Sequence, residues 1–167
     1  MSDLPLHPAL VHLPLGLAFV MPLLALILAW ALWTGRAARR TWAIVVALQA
    51  VLLAGGLVAL RTGEAQEERV ERIVGDAALA RHETAAEQFV WASALTLGLA
   101  AAGLLLKKRG PMRAVLVLTA LGSIIVTGLA VRTGHAGGRL VYVHGAASAY
   151  SGVDEAAAGN PEEERER

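Results

Sequence analysis

Four apolar runs dominate this chain: Leu10 to Trp33, Trp42 to Leu60, Phe89 to Leu106 and Ala114 to Val131. None contains an Asp, Glu, Lys or Arg, and each reaches the roughly 17 to 25 residues that a helix needs to cross the hydrocarbon core of a bilayer. The class is therefore all-α and membrane-integral, a four-helix bundle with the lipid bilayer as its first partner. Composition agrees, with 56% hydrophobic and only 17% charged residues and a mean hydropathy of +0.53. The first run reads as a retained span, because it lacks a basic leader, follows the acidic Asp3, and at 24 residues exceeds the apolar core of about 7 to 15 in a secretory signal.

Charge orients the bundle. The connections Thr34 to Thr41 and Lys107 to Arg113 hold Arg36, Arg39, Arg40, Lys107, Lys108, Arg109 and Arg113 and no acidic residue. The positive-inside rule makes them cytoplasmic. Both termini, the Arg61 to Gln88 segment and all 14 carboxylates then lie on the extracytoplasmic side of an inner membrane. The net charge of +1 and the lack of a basic stripe exclude a nucleic-acid partner. Cysteine is absent, so thiolate ligands and covalent c-type haem attachment are excluded as well.

Residues 1–150 read as one four-helix domain and 151–167 as an acidic disordered tail. Between spans two and three, Val70, Ile73, Val74 and Ala77 recur at helical spacing against Glu67, Glu68, Glu71 and Arg72, which predicts an amphipathic helix over the mouth of the bundle. Gly75 breaks it, and Asp76 starts a helix that carries His82 and Glu83 into the third span.

All five histidines, His7, His12, His82, His135 and His144, fall on this outer side. An internal echo sharpens the pattern: Ala59-Leu60-Arg61-Thr62-Gly63-Glu64-Ala65 matches Ala130-Val131-Arg132-Thr133-Gly134-His135-Ala136 at five of seven positions. The chain thus reads as two repeated helical hairpins in parallel orientation. About a pseudo-two-fold axis, His12, Glu64, Glu87 and His135 would form a ring of two imidazoles and two carboxylates, with His7 and His82 as a second pair nearer the surface. Gly55, Gly56, Gly98, Gly103, Gly122 and Gly128 would let the helices approach closely.

Three readings of the histidines stand side by side. In the first, two imidazoles hold haem b, with Arg61, Arg132 and Arg139 on its propionates. In the second, His12, His82 and His135 join Glu64, Glu67, Glu83 or Glu87 around bare Zn, Fe or Cu. In the third, the histidines only cap helix ends at the interface. Parallel structural readings exist for other residues: Pro8 and Pro14 as helix starters, Arg61 and Arg132 as snorkelling cations, Trp30, Trp33, Trp42 and Trp91 as an interfacial belt, and Gly137-Gly138 as a turn.

Several segments carry a family resemblance: His7-Pro8-Ala9-Leu10-Val11-His12-Leu13-Pro14, Thr62-Gly63 followed by Glu67, His82-Glu83, and Gly137-Gly138-Arg139-Leu140-Val141-Tyr142-Val143-His144-Gly145. From about residue 5 to 148 the chain resembles the predicted membrane proteins grouped as domain of unknown function 2231. It departs at Leu13, where the family more often has Phe, and it has no cytochrome c motif. The resemblance implies four spans, a redox setting through fusions or neighbours of cytochrome c or Rieske type, and His7, His12, His82 and His144 as the family positions.

The combined expectation is a b-type haem protein that passes single electrons at the extracytoplasmic face to a periplasmic cytochrome or a quinone. His12 is one expected ligand and His82, His135 or His144 the other. The alternative is a metal-binding or structural accessory subunit of a larger respiratory complex or a homo-oligomer. No nucleophile and base pair marks an enzyme.

Overall fold

The computed structural model describes residues 7–150; the acidic tail falls outside them. Its elements are α1 (His7–Leu10), α2 (His12–Trp33), a 3-10 turn (Arg39–Trp42), α3 (Ala43–Glu64), α4 (Glu67–Val74), α5 (Asp76–Leu105) and α6 (Arg109–Tyr142). Four helical segments, His7–Trp33, Arg39–Glu64, Asp76–Leu105 and Arg109–Tyr142, are long and apolar enough to cross a membrane. Among the described residues there is no strand.

The helices form a ring. α2 packs on α3 and α6, and α5 packs on the same two, which leaves α2 diagonal to α5. Small and weakly polar residues, Ala18, Ala25, Ala100, Ala120, Ser93, Thr96, Thr119 and Ser123, share the buried centre with Met21, Leu52, Leu116 and Val126. Other large apolar side chains face out, as at Leu23, Leu95 and Ile125. The outside is thus as apolar as the core, because lipid is as apolar as leucine and association rests on close packing. Gly56 lies against Phe89 and Gly122 against Thr96, where an added Cβ would stand 3.1 and 2.7 Å away. Gly98 and Gly128, by contrast, meet no neighbour within 4 Å and do not serve close approach.

Two prolines shape the first span. Pro14 has no N–H for the Leu10 carbonyl, and the helix breaks just before it, at Val11. Pro22 sits inside α2 and leaves the Ala18 carbonyl without its usual partner. The Thr127 hydroxyl of α6 donates to that oxygen at 2.6 Å, so a neighbouring helix supplies the missing donor.

The end of the bundle with the basic connections is closed by Trp42. Sequence places this residue in an interfacial belt; the structure buries it completely. Its Nε1–H donates to the Ala100 carbonyl at 2.9 Å, and Gly103 makes room for the indole. Arg39 donates to the Leu104 carbonyl, satisfying one of the orphan oxygens at the end of α5. Trp30 and Trp33 remain exposed, with Arg36 and Arg113 stacked over them at 4.8 and 4.9 Å.

At the other end α4 is the amphipathic helix that the spacing predicts. Val74 is buried and Val70 packs beside it with Leu79, Leu140 and Ala146, whereas Ile73 and Ala77 point outward. Gly75, at φ +75°, makes the sharp entry to α5. α6 continues well past its apolar run to Tyr142, so Gly137 and Gly138 are helical and not a turn.

Candidate functional site

The structure sorts the five histidines into a pair, a pocket couple and an exposed single. His7, at the start of α1, lies against α3: its Nδ1 is 2.8 Å from the Ala59 carbonyl and 3.4 Å from the Thr62 hydroxyl. His82, on α5, lies against α6 with Nδ1 3.2 Å from the Thr133 carbonyl. A carbonyl oxygen only accepts, so Nδ1–H donates in both rings, and neutral imidazole then keeps its lone pair on Nε2. The two ring centres are 6.3 Å apart and the planes perpendicular.

Glycine makes both seats possible. A Cβ on Gly63 would stand 3.3 Å from His7 Cε1, and one on Gly137 3.1 Å from His82 Cε1. Each ring therefore rests on helix backbone and donates to the carbonyl four residues before that glycine. The matching positions are Ala59 with Thr133 and Gly63 with Gly137. The sequence echo pairs Gly63 with Gly134, about one helical turn away from this geometric match.

His12 is exposed on α2, with Nδ1 3.3 Å from the carbonyl of Ala9 in its own chain segment. Glu64 and Glu87 are exposed too, and His135 stands on the outer face of α6. The ring of His12, Glu64, Glu87 and His135 does not assemble. Among the described residues, no three histidine or carboxylate side chains converge where they could hold a metal ion. Carboxylates do gather beside the pair: Glu67, Glu87, Glu64 and Glu71 all act electrostatically on Glu83, the neighbour of His82.

His135 and His144 line a hollow of about 280 Å³ between α5 and α6, together with Arg81, Arg132, Arg139 and Leu140. Arg132 also donates to the Gln88 amide oxygen at 2.9 Å. Arg61 lies elsewhere, beside Glu64 in a shallow depression on α3. The three arginines assigned to propionates by sequence are thus split between two faces.

Gly63 and Gly137 stand in segments that carry the family resemblance, but their place under the imidazoles escaped sequence reasoning; the signal is their spacing of four from the accepting carbonyls. Gln49 is the other surprise, a fully buried amide in the second span whose Nε2 donates to the Ser93 carbonyl at 3.2 Å.

Residues 3–149 match the family described as predicted membrane protein, DUF2231. The chain belongs to that family. No curated protein and no solved structure matches it. Of the four histidines that the resemblance implies for a DUF2231 protein, His7 and His82 meet, His12 stands exposed on α2, and His144 lines the arginine hollow.

Proposed function

We propose that this DUF2231 protein is a membrane b-type haem protein that transfers single electrons at the extracytoplasmic face, with His7 and His82 as the residues that would hold the haem. The observation that carries the reading is the pair of imidazoles whose Nδ1–H groups are held by the Ala59 and Thr133 carbonyls, 2.8 and 3.2 Å away. Such carbonyl bonds fix the tautomer and the ring orientation and raise the basicity of Nε2, which is the usual support of a metal-ligating histidine. With Nδ1–H engaged, each ring keeps its Nε2 lone pair, so His7 and His82, whose ring centres stand 6.3 Å apart, would hold the iron.

The donor set fits haem b: two nitrogen ligands, no cysteine and an apolar bundle below. Haem supplies the one-electron chemistry when bound; the protein supplies ligation, orientation and electrostatics. The basic connections at the opposite end orient the pair outward by the positive-inside rule, toward a periplasmic cytochrome or a quinone. His7 and His82 replace the earlier expectation of His12, whose exposed ring has only its own helix start as partner.

The test is the absorption spectrum of the detergent-purified protein, oxidised and dithionite-reduced, with elemental analysis of the same sample. A Soret band with reduced b-type bands is expected, lost in His7→Ala and His82→Ala and retained in His12→Ala. A haem-free protein overturns the reading. Stoichiometric metal without haem would replace this reading with a metal-binding one, and neither group would leave a structural subunit.

A further inference from the structure

We propose that the arginine-lined hollow between α5 and α6 is an oxyanion site that takes one phosphate group. Arg132, His135 and Arg139 follow one another at spacings of three and four, so they share a face of α6. Arg81 reaches the same hollow from α5, and His144 closes it beyond the end of α6. Five basic side chains thus line a space of about 280 Å³, and among the described residues no carboxylate does.

That arrangement is unusual in a chain with 14 acidic and 15 basic residues. Three guanidinium groups gathered without an acid repel one another, and a bound anion offsets the repulsion. Their present partners are neutral: Arg81 Nε–H donates to the Ala77 carbonyl at 2.9 Å, and Arg132 donates to the Gln88 amide oxygen. Both retain further N–H groups, and among the described residues no carboxylate pairs with any of the three. Planar guanidinium forks match the oxygens of phosphate, and convergence of several from two helices favours an oxyanion over a simple halide.

Depth points to the same chemistry. Arg132 directly follows the apolar run that ends at Val131, so the hollow opens where the hydrocarbon ends and lipid headgroup phosphates begin. The phosphate therefore belongs to a phospholipid headgroup or to a soluble phosphate compound on that side. The His7–His82 pair takes no part, since neither ring lines the hollow.

The experiment uses the full chain in detergent, free of haem. Thermal unfolding of delipidated protein is followed in sodium phosphate and in sodium chloride of equal ionic strength, and native mass spectrometry is run before delipidation. Phosphate raises the unfolding temperature above chloride. Arg81→Ala with Arg139→Ala needs at least tenfold more phosphate for the same rise, while Arg72→Ala, on α4, behaves as wild type. A phospholipid retained by wild type and lost in the double variant identifies a headgroup; a phosphate effect without retained lipid identifies a soluble ligand. Equal unfolding temperatures in the two salts with no retained lipid, or a double variant that responds as wild type, overturn the proposal. Should the double variant misfold by circular dichroism, Arg139→Gln alone serves, with the same tenfold criterion. The readout is an unfolding temperature, so it stands apart from the absorbance test of the histidine pair.

Discussion

Thr127 shows how much a single hydroxyl settles inside this bundle. Its donation to the Ala18 carbonyl, opposite Pro22, satisfies an oxygen that has neither water nor a helical N–H to turn to. Thr127→Val is expected to lower stability by on the order of 1 kcal/mol, measured by denaturant or thermal unfolding in detergent. In a Pro22→Ala background the N–H returns and the loss should disappear, so the two changes couple in a double-mutant cycle. Gly137 makes a different kind of contact, because it leaves room for an imidazole and not for another helix. Gly137→Ala puts a methyl 3.1 Å from His82 Cε1, and the ring must tilt off the Thr133 carbonyl. On the proposed haem function, cofactor retention in that variant should fall at least tenfold, read from the Soret absorbance per protein, with helical content unchanged.

Among the elements, α5 and α6 outrun the hydrocarbon core, and their extra turns carry His82, Arg81, His135 and Arg139 beyond the apolar runs. The short α4 and the segment after α6 lie beside these turns through Val74, Leu140 and Ala146. Tyr150 adds a polar tie: its hydroxyl donates to the Gln66 amide oxygen at 2.9 Å, and Arg69 stands over its ring. Burial pushes the Tyr150 phenol above its ordinary 10.0, and Arg69 opposes that shift without cancelling it. The folded state thus holds the proton more tightly than the unfolded one. Its contribution is complete below pH 10 and is lost as pH rises through the higher folded value. In a Tyr142→Phe background, phenolate absorbance should therefore appear later than in free tyrosine. At the other end of α5, Trp42→Phe keeps part of the buried ring but removes the indole N–H that bonds the Ala100 carbonyl and leaves unfilled space beside it. A loss of about 1 kcal/mol is expected in the same unfolding assay.

The whole molecule places its basic connections at one end and its histidines at the other, and the absence of cysteine makes this directly measurable. Single cysteines at Arg36 and Lys108 should resist a membrane-impermeant thiol reagent in intact spheroplasts, whereas one at Glu68 should react; the opposite pattern would invert the topology. Four spans, a helical bundle and an amphipathic helix before the third span were legible from residue order alone, because the span length and the 3.6-residue period are one-dimensional properties. The histidine partnerships were not. Repeat matching set Gly63 against Gly134 and drew His12 and His135 inward, but the seated rings rest on Gly63 and Gly137, and one turn of a helix is enough to send a side chain to another face. Trp42 was misplaced for the same kind of reason: tryptophan at a span end fits a lipid interface, and only the room left at Gly103 and the nearby Ala100 carbonyl, which accepts from the indole, place it inside. What the sequence determined by itself is the membrane class, the number of spans and the sorting of charge between the two ends, since these follow from transfer energies added along the chain. Only the tertiary structure decided that His7 meets His82, that His135 and His144 join three arginines, and that Thr127 answers Pro22, because each depends on the rotation and depth at which two distant helices pack.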